Sequence, residues 1–94
     1  MTENKTENAK FIYNFFIEEG WTSQSICGML GNMEVESGII ADIDEYGNGD
    51  GYGLLQWTPK SKLVQWANQE NLDYTSIKTQ CKRIKWELEI GRAS

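Results

Sequence analysis

No histidine occurs in this chain of 94 residues. That absence removes Ser-His and Cys-His nucleophilic machinery, which needs an imidazole base. It also removes histidine metal sites, and two cysteines alone do not make a zinc centre. Basic residues are few: nine Lys and Arg stand against fourteen Asp and Glu, a formal net charge of −5. Nucleic-acid binding needs a basic face to neutralise phosphate, so no nucleic-acid partner is expected. No run approaches the ~20 apolar residues of a membrane span. Met1 to Lys10 is polar and contains no apolar signal region. The expectation is a soluble product of the cytoplasm, with any export supplied by a partner. Cys27 and Cys81 are far apart and neither sits in a CxxC pair. Both read as core thiols on helices rather than as a disulfide.

What is present fits one domain, 1–94, with one modest core. Hydrophobic residues make up 39% and aromatics 12%, including four Trp. Such a set argues against disorder and offers large pieces for a core, or stacking surfaces for a cleft.

The chain reads as mainly α, about four helices around one irregular segment. A first helix is expected over Thr6–Glu19, where Ala9, Ile12, Phe15 and Phe16 recur at helical spacing and Gly20 follows as the C′ residue. Thr22 or Ser23 caps a second helix whose buried stripe is Ile26, Met29, Leu30 and Met33, ending near Glu36–Gly38. Residues 37–53 then break the pattern with five glycines and a run of acidic residues. Asn48-Gly49 and Asp50-Gly51 are turn signals, so a loop or small β-hairpin is expected, with short strands near Ile39–Ile43 and Tyr52–Leu55. Thr58-Pro59 reads as N-cap and N1 of a third helix with Leu63, Trp66 and Ala67 on its apolar face. Asp73 is expected to cap a fourth helix lined by Tyr74, Ile77, Cys81, Ile84 and Leu88, with Gly91 as its stop.

Carboxylates are the main supply of acid and base groups. Glu34 and Glu36 close the second helix but stand about 200° apart around it, so they cannot share one cleft. The helical wheel does not choose between them. Both lie where the helix dipole presents partial negative charge, which favours the protonated form a general acid needs. Solvated glutamates at a helix end are the plain alternative. The segment Gly51-Tyr52-Gly53-Leu54-Leu55-Gln56-Trp57 has glycines that permit close backbone approach, aromatics that can stack on sugar faces, and an amide that can bond hydroxyls. It reads equally as a turn with two buried aromatics. The acidic loop Asp42, Asp44, Glu45, Asn48, Asp50 is no calcium site: an EF-hand register from Asp42 requires Glu where Gly53 stands.

Taken in order, several segments carry a family resemblance. They are Gly20-Trp21-Thr22, Ile26 to Met33, Glu36-Ser37, Gly51 to Pro59, Trp66-Ala67-Asn68 and Lys82 to Glu87. The chain from about Ala9 to Glu89 resembles the lysozyme domain of phage tail-associated cell-wall-degrading proteins, of the tail-knob lysin type. More distantly it is similar to goose-type lysozymes and soluble lytic transglycosylases. The resemblance implies a lysozyme-like fold, no cofactor and no metal. It implies cleavage of the β-1,4 link between N-acetylmuramic acid and N-acetylglucosamine in peptidoglycan. Glu36, followed by Ser37, falls where the family has its catalytic glutamate. Ser37, Tyr52, Gly53, Gln56 and Trp57 fall where it contacts sugar. A second carboxylate for a hydrolase would come from Asp42, Asp44, Glu45 or Asp50, with Asp44 and Asp50 favoured. A lytic transglycosylase needs none, because the muramyl 6-hydroxyl attacks. Two departures stand out. Ile40-Ala41-Asp42 replaces the usual Ile-Asn-Pro sequence, and the family's C-terminal part is expected to be absent. Action on the wall as a virion component or lysis protein follows, with phage tail proteins or the absent C-terminal region as partners. Two non-enzymatic roles rival it: a glycan-binding or structural tail remnant, and a small helical protein–protein module.

Overall fold

A computed structural model describes residues 3–44 and 49–93. Four helices carry the described chain: α1 (Lys5–Glu18), α2 (Ser23–Ser37), α3 (Ser61–Gln69) and α4 (Ile77–Ala93). The expected helix order holds, and the described residues contain no strand.

The helix ends follow from local chemistry. Asn4 caps α1 by accepting from the Glu7 N–H, and Thr22 caps α2 by accepting from the Ser25 N–H. At the end of α1, Gly20 has φ +90°. Its N–H bonds the Ile17 carbonyl, and the Trp21 N–H bonds the Phe16 carbonyl, each at 3.0 Å. This is a Schellman turn with its apolar contact, because the Trp21 and Phe16 rings lie 4.3 Å apart. Helix α2 ends on Gly38 at φ +66°, and Ile39 follows at φ +61°. A left-handed β-branched residue is strained, and burial of Ile39 in the core opposes that cost.

α1 packs on α2 and α4, and α3 packs on α4. The core is only partly helical. Ile12, Phe16, Ile26, Met33, Leu63, Cys81 and Ile84 come from helices, but Ile39, Ala41, Tyr52, Leu54 and Trp57 come from the irregular segment. The described stretches on both sides of residues 45–48 therefore contribute to the interior. The expected hairpin shrinks to two isolated bridges, Asp44 with Tyr52 and Tyr52 with Trp57. Strand geometry fails because Gly53 at φ +84° and Gln56 at φ +51° turn the chain back on itself, so Tyr52 and Trp57 exchange backbone hydrogen bonds. The expected Asn48-Gly49 turn involves residues outside those described.

One fully buried polar side chain joins the layers. Gln80 Nε2 donates to the carbonyls of Ala41 (2.8 Å) and Tyr74 (3.0 Å), while its Oε1 accepts from the Leu54 N–H (2.9 Å). A Cβ on Gly53 would stand 2.7 Å from that Oε1, so only glycine fits there.

Four local expectations are corrected. Thr58 does not cap α3: its hydroxyl donates to the Gln56 carbonyl, and the helix starts at Ser61 after Lys60. Asp73 does not cap α4. Its carboxylate closes a turn onto Thr75, and the Ser76 hydroxyl and carbonyl accept from Lys78 and Gln80 instead. Gly91 does not stop α4, which runs on to Ala93. Cys27 is exposed, since it lies about 100° round the helix from Ile26, off the buried stripe. Cys81 is buried, which pushes its thiol up to about 12.

Two outcomes follow. Gln80→Leu should cost about 3 kcal/mol by stranding three backbone groups, and Gly53→Ala about 2 kcal/mol, both read by urea unfolding. A thiol reagent should label Cys27 in the native protein and Cys81 only after unfolding.

Candidate functional site

An open cleft of about 550 Å³ lies at the C-terminal end of α2. It is lined by the helix end, with Val35, Glu36, Ser37 and Gly38, and by Ile43, Asp44 and Gln56 from the irregular segment. Of the two glutamates, Glu36 faces this cleft. Glu34 is ion-paired to Lys5 of α1 instead, so tertiary packing separates what the helical wheel left equivalent. Glu36 is exposed to solvent at the cleft wall.

Asp44 lines the same cleft as the helix end. It is exposed, and its carboxylate lies 3.5 Å from the Lys60 ammonium. That ammonium is also placed over two aromatic rings, 4.4 Å from the centre of Tyr52 and 5.2 Å from that of Tyr74. A cation–π seat of this kind limits where Lys60 can reach, and so favours one position of Asp44. Asp50 is not on the cleft wall; its backbone carbonyl accepts from the Lys60 N–H at 3.1 Å. Asp42 is engaged by the Tyr52 hydroxyl, which donates to its carboxylate at 2.5 Å. Glu45 lies outside the described residues.

The other candidate residues divide sharply by burial. Gln56 lines the cleft, half-buried, with its amide donating to the Gly53 carbonyl at 2.9 Å. The backbone of Ser37 reaches the wall, but its hydroxyl is buried, 3.0 Å from the carbonyls of Met33 and Leu54 to which it donates. It thereby fastens the helix end to the 52–57 turn. Tyr52 and Trp57 are core side chains, 1% and 6% exposed, and present no ring to the cleft. The Trp57 indole N–H donates to Glu87 at 3.0 Å, and Glu87 in turn pairs with Arg83, whose guanidinium stacks on Trp66 and Trp86. Gly53 admits the Gln80 amide, an internal neighbour. No group of three or more metal-ligating side chains occurs among the described residues.

Sequence reasoning missed Gln80, Glu87, Lys60 and Glu3 as supports of this site. Gln80 had a signal: it shares the i, i+3, i+4, i+7 register of Ile77, Cys81 and Ile84, so it is a polar residue on the buried face. Glu3 had none, because the loop amides it accepts from, those of Ala41 and Asp42, are almost forty residues away.

Burial, aided by the acceptor carboxylate of Asp42, raises the Tyr52 phenol well above the usual tyrosine range. The neutral form is thus favoured in the folded state. Its stabilisation is present below about pH 10 and is lost as pH rises toward the folded value. Tyr52→Phe should therefore lose stability less steeply between about pH 8 and about pH 11 than the parent, measured by urea unfolding at each pH.

Comparison with known proteins agrees with this architecture in extent. The sequence model of the phage tail lysozyme family matches residues 7–93. A relative, Morphogenesis protein 1 of Bacillus phage B103, is 44% identical over 88 residues, covering 89% of this chain and 24% of that protein. The chain thus spans about a quarter of the length of the curated relative it matches.

Proposed function

From a chain that belongs to the phage tail lysozyme family, we infer that the cleft at the end of α2 cleaves peptidoglycan glycan strands, with Glu36 as general acid. The observation that carries this reading is the presence of Glu36 and Asp44, from two separate segments, in the lining of one cleft together with Gln56. Glu36 would protonate the glycosidic oxygen as the bond between N-acetylmuramic acid and N-acetylglucosamine breaks. Asp44 is the second carboxylate on the wall and would activate the water that attacks the opposite face of the sugar, the inverting arrangement. Lys60 supports this role by holding Asp44 in one direction. Gln56 offers an amide to sugar hydroxyl or acetamido groups. Asp50 is not among the lining residues, so this reading assigns the second carboxylate to Asp44.

The surroundings fit such a substrate. The cleft is open rather than enclosed, as a polymer strand requires, and Val35 adds an exposed apolar surface at its edge. The name of the phage B103 relative, a morphogenesis protein, and the tail lysozyme family model together support a place for this activity on a phage particle, next to tail proteins. No helix among the described residues is long and apolar enough to cross a membrane.

The test is digestion of purified peptidoglycan by the parent, Glu36→Gln and Asp44→Asn, with products identified by mass spectrometry. Glu36→Gln should lower the rate by ~10²–10⁴-fold while leaving the fold intact. Asp44→Asn should be nearly as damaging, and the parent's products should carry reducing ends. Anhydro ends with an active Asp44→Asn would replace hydrolysis by transglycosylation. A folded parent that releases nothing would sink the enzymatic reading and leave a glycan-binding or structural role.

A further inference from the structure

Glu3 precedes the segment that the family matches, residues 7–93, yet its carboxylate reaches the loop that carries Asp44. Its Oε1 accepts from the Ala41 N–H at 2.8 Å and from the Asn8 side-chain amide at 2.9 Å. Its Oε2 accepts from the Asp42 N–H at 2.7 Å. Hydrogen bonds from backbone N–H groups to an ionised carboxylate are roughly twice as strong as neutral ones.

The same short loop is tied at its carbonyls by other groups. Asn8 Nδ2, buried, donates to the Ile39 carbonyl at 2.9 Å; Gln80 donates to that of Ala41, and the Gly53 N–H to that of Ile43. The amides of Ala41 and Asp42 point the other way, and Glu3 takes both. Only Ile43 separates this clamp from Asp44, and Ile43 and Asp44 line the same cleft as Glu36. Glu36 stands on a helix whose end is pinned by the Ser37 hydroxyl. The separation of the two carboxylates therefore depends on how firmly the 41–44 loop is set.

We propose that Glu3 is a positioning residue of the cleft: by clamping the amides of Ala41 and Asp42 it sets where Asp44 stands relative to Glu36. Its effect on turnover rests on the glycan-cleavage reading above; the clamp itself does not. A misplacement of ~1 Å in a catalytic group can cost up to about 10²-fold in rate.

The experiment compares the full-length parent with Glu3→Ala and Glu3→Gln. Amide hydrogen exchange is followed residue by residue by NMR, and turnover of peptidoglycan is followed as kcat and KM. In Glu3→Ala the amides of Ala41 and Asp42 should exchange about tenfold faster or more, while Leu54 and the α2 amides keep their protection. The kcat should fall about tenfold with KM little changed. Glu3→Gln keeps one acceptor oxygen and should recover part of both effects. Unchanged exchange at Ala41 and Asp42 overturns the proposal. So does acceleration in step with every other amide, which is plain loss of stability, and so does full kcat despite loosened amides. If the parent cleaves nothing, the cleavage reading fails on that result alone. The clamp is then judged by exchange at the two amides and by whether Glu3→Ala moves the resonances of Asp44, with an unmoved Asp44 counting against it.

Discussion

Gln80 is sealed from solvent, yet its amide bonds three backbone groups in three segments: Ala41 before the acidic loop, Leu54 in the turn after it, and Tyr74 ahead of α4. A buried amide is favourable only if its donors and acceptor are all matched, and here they are. The consequence is that two described stretches without strands, 39–44 and 49–57, still have fixed places. Among these described residues no sheet ladder holds the chain; one side chain from α4 ties it, with the Tyr52–Trp57 backbone pair and the Ser37 hydroxyl completing the frame. The Gly53 backbone is pressed against the same amide, so its left-handed turn and the Gln80 contacts form together.

This frame explains why the cleft sits where it does. Helix α2 must stop at Gly38 because the chain turns left-handed there and again at Ile39, and that turn carries the loop across the helix end. The last helical turn, with Glu36, is left facing open space. Ile39, Ala41, Tyr52, Leu54 and Trp57 go to the core, and among the described residues Ile43, Asp44 and Gln56 are what this part of the chain contributes to the cleft. The described lining holds two acids, Glu36 and Asp44. The chain belongs to the phage tail lysozyme family.

The helices were legible from periodicity, and the ends at Gly20, Thr22 and Gly38 from residues next to them, because those signals are local; the expected helix ends at Thr58, Asp73 and Gly91 were not where the helices begin or stop. Glu36 was separable from Glu34 only through resemblance; the physical reason, Lys5 pairing with Glu34, depends on how α1 lies on α2. Tyr52 and Trp57 were ambiguous because flanking glycines announce a close approach without saying what approaches. The visitor is Gln80, and the rings are buried. Glu3 was illegible altogether: a lone acidic residue ahead of a helix has no sequence mark of a contact made across the fold.

The fit between Gly53 and Gln80 also bears on how such a chain can change over generations. A larger residue at position 53 collides with the amide, and a side chain at position 80 that removes the collision also abandons the carbonyls of Ala41 and Tyr74 and the N–H of Leu54. Neither site offers a neutral first step. Drift is therefore channelled to positions that face solvent, such as Val35, Cys27 and the outer side of α4, while the inner joint stays closed to piecemeal exploration.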